Sequence, residues 1–137
     1  MRSPSAAPSR GVATSTREPT AAEWLVERIL VAVECVPPGS VVSYGDVAAL
    51  VGTGPRIVGQ VMARYGSEVC WWRVTNAAGK LPAHLIPDAA IHWYAEGIGV
   101  SSSGSGCKID SFRADLSTLA RAFERRLARV SRQPSDV

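Results

Sequence analysis

The run from Ser43 to Pro55, SYGDVAALVGTGP, constrains the fold more than any other part of the chain. Ser43 and Asp46 stand at capping-box spacing, each side chain able to satisfy a free backbone N–H of the other residue, so a helix opens here. Gly52-Thr53-Gly54 breaks that helix after about two turns. Proline suits the first turn of a helix and not its interior, so PRIVGQVMARY begins a further helix at Pro55. Two short helices joined by a tight glycine turn form a helix-turn-helix candidate.

The flanking sequence extends this helical pattern. Thr20 with Glu23 makes another capping box, and Trp24, Leu25, Ile29 and Val33 recur at helical spacing, giving a helix from about Ala21 to Cys35 that CVPPGS ends. Val41-Val42 is a short extended link. VCWWRVTNAAGKLP reads as a short apolar strand or link followed by a polar glycine turn, and Pro87 to Glu96 as a helix that Gly97 terminates. Residues 101–106, SSSGSG, have the composition of a flexible linker. Beyond them Ile109, Phe112, Leu116, Leu119, Phe123 and Leu127 predict one amphipathic, arginine-rich helix.

Residues 1–19 have almost no large apolar side chain to offset the entropy of ordering, and so read as a disordered tail. The expected organisation is that tail, a domain over 20–100, and a linker with its C-terminal helix over 101–137. At 137 residues and 46% hydrophobic, the chain can build one core and not two. Cys35, Cys70 and Cys107 form no CxxC pair and have no histidine at ligand spacing. Neither a metal site nor a disulfide framework is indicated, and no cofactor motif is present. Reduced thiols, the absence of a signal-peptide core and the lack of any apolar run near the ~20 residues of a membrane span predict a soluble cytoplasmic protein.

A net charge of +3 fits an anionic partner without requiring one. The helix from Pro55 is more informative. Ile57, Val58, Val61, Met62 and Tyr65 fall on one side and predict its core face. Arg56, Gly59, Gln60, Ala63 and Arg64 form a small, cationic opposite side that a phosphate backbone could approach. A solvated helix surface would account for the same pattern.

The order VPPGSVVSYGDVAALVG, PRIVGQVM, WWRV, NAAGKLP and AEGIGV, from about Ala21 to Val100, resembles the DNA-binding domain of the O6-alkylguanine-DNA alkyltransferase family. The resemblance implies a mainly α domain with a winged-helix-like helix-turn-helix. In the alkyltransferases the WWRV position reads Pro-Cys-His-Arg-Val, where the cysteine accepts the alkyl group and the histidine helps to form its thiolate. Here Cys70 stands at the proline position, Trp71 at the nucleophile and Trp72 at the histidine. Members with Trp for the nucleophile, the alkyltransferase-like proteins, usually keep the proline and histidine, so Cys70 and Trp72 are departures.

The resemblance assigns roles residue by residue. Tyr44 matches the tyrosine that presses on the target phosphate, and Arg56 the arginine that enters the stack when the base leaves. Gly59, Gln60 and Ala63 match the helix face that lies in the minor groove. Met62, Trp71, Trp72, Val74 and the turn through Leu81 correspond to walls of the lesion pocket, with one tryptophan of the pair expected to be structural. Glu96 matches the glutamate that orients the family histidine and is expected to serve here as a hydrogen-bonding group. Arg73 is expected to pair internally or to touch DNA. His84 and His92 match no family site.

Chemistry agrees with this. Alkyl transfer needs a thiolate, and a thiolate needs a nearby base or cation. With Trp72 at the base position none is specified. The resemblance therefore implies a non-enzymatic protein that binds O6-alkylguanine in double-stranded DNA by base flipping, as a monomer, and hands the lesion to nucleotide excision repair proteins. Its rivals are a methyltransferase using Cys70, a helix-turn-helix transcription regulator, and a pseudo-enzyme that contacts proteins through its C-terminal helix.

Overall fold

The computed structural model describes residues 18–132, so most of the expected tail lies outside the described residues. Helix α1 spans Ala21–Glu34. Its capping box forms as the sequence requires: Glu23 N donates to Thr20 Oγ1 at 3.1 Å and Thr20 N to Glu23 Oε1 at 2.9 Å. Strand β1, Val42–Ser43, leads directly into α2, Tyr44–Val51. Asp46 N donates to Ser43 Oγ at 3.0 Å and Ser43 N to Asp46 Oδ2 at 2.9 Å, the second capping box. Gly52, at φ 91°, reverses the chain because that left-handed conformation is open to glycine at no steric cost. Helix α3, Pro55–Tyr65, completes the helix-turn-helix.

Helix α3 buries a narrower stripe than its periodicity suggests. Val58 and Val61 are buried, but Ile57 and Tyr65 are 38% and 42% exposed, contrary to their expected core position. Ile57 sits at the margin of the stripe, and Tyr65 is the last residue of the helix.

Two 3₁₀ turns, Gly66–Glu68 and Trp71–Arg73, carry the chain into strand β2, Val74–Thr75. It pairs in parallel with β1, Val42 opposite Val74 and Ser43 opposite Thr75. A third 3₁₀ turn, Ala83–Leu85, precedes α4, Ile86–Glu96, which stops at Gly97. The C-terminal part holds α5, Ile109–Phe112, and α6, Leu116–Arg132.

Two sequence expectations change here. Residues 101–106 are a hairpin turn and not a free linker: Ser101 N donates to Gly106 O at 2.8 Å, and Val100 bridges Cys107. The hairpin docks on the turn at Gly79, where Cys107 N donates to Gly79 O at 2.8 Å. The single C-terminal helix is in fact two. Val41 pulls the backbone between them into an extended bridge, accepting from Ala114 N at 3.0 Å and donating to Phe112 O at 2.9 Å. Asp115 then opens α6, its carboxylate accepting from Ser117 N and Thr118 Oγ1.

The apolar side chains gather in two clusters. Ile29, Val33, Val42, Val47, Val58, Val74, Leu119 and Phe123 join α1, the helix-turn-helix and α6. Val41, Ala89, Trp93, Ile98, Cys107 and Ile109 form the other, under α4 and the hairpin. The mainly helical fold expected from the sequence is therefore the one observed, with residues 107–130 built into its cores. No helix among the described residues is long and apolar enough to cross a membrane.

Candidate nucleic-acid interface

Where the helix-turn-helix meets the chain from Gly66 to Asp88, it leaves a cavity of about 430 Å³, within the roughly 300–1,000 Å³ of small-ligand sites. Tyr44 enters from the start of α2, and Gly59, Met62 and Ala63 from one side of α3. Trp71 and Val74 come from the turn and strand opposite, and Leu81 from the loop after the Gly79 turn. Residues from three sequence motifs thus converge on one concavity. Burial raises the Tyr44 phenol above its ordinary pKa, so it remains a neutral hydroxyl at physiological pH.

The paired tryptophans divide their tasks. Their rings meet edge to face at 5.8 Å. Trp71 lines the cavity. Trp72 was expected there as well, but it is not among the lining residues and serves a structural network instead. Its ring stacks on His92 at 3.6 Å and 7°, beneath the Arg73 guanidinium at 5.4 Å. Its indole Nε1 donates to Glu96 Oε2 at 2.9 Å.

Glu96 is the centre of that network. It accepts from Arg73 Nη2 at 2.6 Å and Nε at 3.0 Å, and from Gly39 N at 3.0 Å. Arg73 Nη1 also donates to the Val36 carbonyl at 2.9 Å, tying the turn to the end of α1. Burial by itself would raise the Glu96 pKa, but the hydrogen bonds from Arg73, Gly39 and Trp72 outweigh it and hold the carboxyl below the usual glutamate value. Arg73, for which pairing and DNA contact were both open, pairs internally.

Cys70 borders this network from outside the cavity. Its thiol donates to the Val33 carbonyl at 3.3 Å, and it does not line the cavity. Burial pushes its pKa up, although Arg73 opposes the effect. A thiol held protonated is a poor nucleophile.

On the outer side of α3, Arg56, Gln60, Ala63 and Arg64 are exposed. Arg56 and Gln60 stand outside the cavity lining, on the surface beside it. A side chain at Gly59 would meet nothing within 4 Å, so the glycine leaves an open approach to the helix backbone. The first turn of α3 has no side-chain cap, which leaves its N–H groups available to an anion.

Sequence reasoning missed Ser67, Pro82, His84, Leu85 and Asp88, which complete the cavity wall. They lie in or just before 3₁₀ turns and in the first turn of α4, where no periodicity marks an inward face. The bracketing of PAHLIP by Pro82 and Pro87 was the available signal.

The family model for the DNA-binding domain of 6-O-methylguanine DNA methyltransferase matches residues 25–93. The chain is 39% identical over 85 residues to the DNA base-flipping proteins of Escherichia coli (strain K12) and Shigella flexneri. Each match covers 57% of this chain and 65% of the relative, just under two thirds of those proteins' length. S. pombe Atl1, in complex with damaged DNA containing O6-carboxymethylguanine, shares the fold at a TM-score of 0.59 and 23% identity, over 67% of this chain and 95% of that one.

Proposed function

The chain belongs to the family of the 6-O-methylguanine DNA methyltransferase DNA-binding domain, and from that premise we propose that it recognises O6-alkylguanine in duplex DNA by base flipping, without removing the alkyl group. One observation carries the reading: Tyr44, Gly59, Met62, Ala63, Trp71, Val74 and Leu81 line a single base-sized cavity beside the cationic face of α3. Extrusion of a base costs a few kcal/mol. Tyr44 at the mouth pushes on the target phosphate, and Arg56 fills the gap left in the stack. The Trp71 ring walls in the displaced base, a kind of contact worth ~1–3 kcal/mol.

No cysteine lines the cavity, and alkyl transfer in this family runs through a thiolate. Trp71 takes its place, Trp72 takes that of the base, and Cys70 is bound to the Val33 carbonyl. The product of recognition is then a persistent complex, held by a monomer and passed to nucleotide excision repair proteins; this last step rests on family resemblance. The free thiols suit a cytoplasmic setting. Titration of an O6-methylguanine duplex against the same undamaged duplex, at moderate salt, is expected to show preference for the lesion. Equal affinities would remove the lesion-sensing role. Intact-protein mass after incubation with the methylated duplex should stay unchanged, and a gain of one methyl group would restore the enzymatic reading.

A further inference from the structure

Helix α6 has two unlike sides. Leu119 and Phe123, with part-buried Leu127 and Val130, pack on the core shared with α1. Away from that core, Arg121, Arg125 and Arg129 are exposed. Spaced four residues apart, they fall within an arc of about 80° and rise ~6 Å per step, so they form one ladder of guanidinium groups.

No residue of the ladder is held in a close ion pair among the described residues. Arg126, a quarter-turn off it, is the α6 arginine that pairs with a carboxylate, Glu34 at 3.2 Å. Arg121 makes a long hydrogen bond to Thr118 Oγ1 at 3.4 Å.

The position of the ladder on the helix needs an account of its own. The helix dipole favours cations in the last turn, which accounts for Arg129 and not for Arg121 near the middle of α6. Like charges at i and i+4 destabilise a helix, so the ladder costs stability unless an anion answers it. The cations of LSTLARAFERRLARVSR are all arginines, as are all but two of the cationic side chains in the chain. Arginine's planar fork is the group suited to phosphate. Helix α6 packs chiefly on α1, and none of its residues lines the base cavity, so the phosphates it would hold lie apart from that cavity.

We propose that Arg121, Arg125 and Arg129 form a second DNA-backbone site, distinct from the base cavity, that holds phosphates beyond the segment engaged by α3. The identity of the polyanion rests on the DNA-binding reading above. The test uses the full chain as wild type, as an Arg121→Gln/Arg125→Gln/Arg129→Gln triple variant, and as the corresponding triple Lys variant. Binding is measured by fluorescence anisotropy on lesion duplexes of about one helical turn and of several turns, between about 50 and 200 mM salt.

Three lost phosphate contacts should lower the salt slope on the long duplex by about 2.7 in the Gln variant. Over that fourfold range of salt, the affinity advantage of wild type should then shrink roughly 40-fold. On the short duplex the proteins should coincide, and the Lys variant should keep the wild-type slope. Each single Gln variant should remove about 0.9 of the slope, which keeps the test valid if the triple variant is poorly folded. An unchanged slope on the long duplex, as when the ladder binds an acidic protein instead, overturns the second site. An equal loss on the short duplex overturns its separateness. Lesion preference of the wild type on the short duplex reads the function independently, so failure of one proposal is distinguishable from failure of the other.

Discussion

Replacing Glu96 with Gln should unfold the site from its centre. The carboxylate offers about four lone-pair positions, and donors from Arg73, Trp72 and Gly39 occupy them at 2.6 to 3.2 Å. Glutamine keeps one acceptor oxygen and turns an NH₂ toward groups that are themselves donors. It also strands the Arg73 guanidinium, whose side chain is 13% exposed, as is that of Glu96. Breaking a buried pair costs about 3–5 kcal/mol, and the residual access of water puts this one at the lower end, about 3 kcal/mol. For a domain of this size the melting temperature should fall by roughly 10 °C.

The assay is thermal and urea unfolding followed by circular dichroism, for Glu96→Gln, Arg73→Met and the double variant. The double should be no worse than the harsher single, because removing both charges leaves none stranded. The pH dependence has a definite sign. The folded-state pKa of Glu96 is depressed, so the unfolded state binds more protons and the pair's stabilisation is complete above the ordinary glutamate value. It is lost as pH falls through the depressed pKa, and in that acidic window the gap between wild type and Glu96→Gln should close. A variant melting within a degree or two of wild type, or additive losses in the double, would refute the network.

Chemistry should return only by stages: Trp71→Cys alone leaves a thiol near its ordinary pKa of ~8.5, mostly protonated and inert, whereas adding Trp72→His places an imidazole where Glu96 can orient it. Alkyl transfer to that double variant, read as intact-protein mass, is the expected result, and an equally active single variant would show that position 72 is not the base position. Arg56→Ala should weaken binding to the lesion duplex more than to the undamaged one, and a uniform loss in titration would make Arg56 a plain phosphate contact. Gly79→Ala should cost more than about 2 kcal/mol in urea unfolding, because its Cβ would collide with the Cys107 carbonyl at φ 81°; Gly97→Ala, at φ 76° but facing open space, should cost less. Cys70→Ser should leave DNA affinity nearly unchanged, since the thiol touches the Val33 carbonyl and not the cavity.

What could be read from the sequence was what is decided locally. Thr20 with Glu23 and Ser43 with Asp46 set their helix starts within three residues, and both boxes form as expected. Gly52 and Gly97 end helices because each takes a left-handed φ. The hairpin at 101–106 was hidden for the opposite reason. Its partner is the Gly79 turn more than twenty residues away, and serine and glycine carry no side-chain pattern that announces a backbone pairing. The break between α5 and α6 depends on Val41 in the same way. Trp71 and Trp72 are adjacent in a 3₁₀ turn, so periodicity could not say which one faced the cavity.

On the function proposed above, with Trp71 at the nucleophile position and Trp72 at that of the base, the geometry around Glu96 accounts for an architecture that stays intact. A carboxylate retained without a donor would be a buried charge with one fewer partner, and would weaken the joint between the 71–73 turn and α4. The Trp72 indole supplies an N–H to Glu96 at 2.9 Å, as a histidine at that position could, but it has no lone pair with which to take a proton from a thiol. A tryptophan here thus does the structural half of what a histidine would do and none of the chemical half. On the cavity side Trp71 presents a broad apolar wall and no nucleophilic atom. On the function proposed above, binding energy that an enzyme would direct toward a transition state goes instead to holding the extruded base, which favours a long-lived complex over turnover.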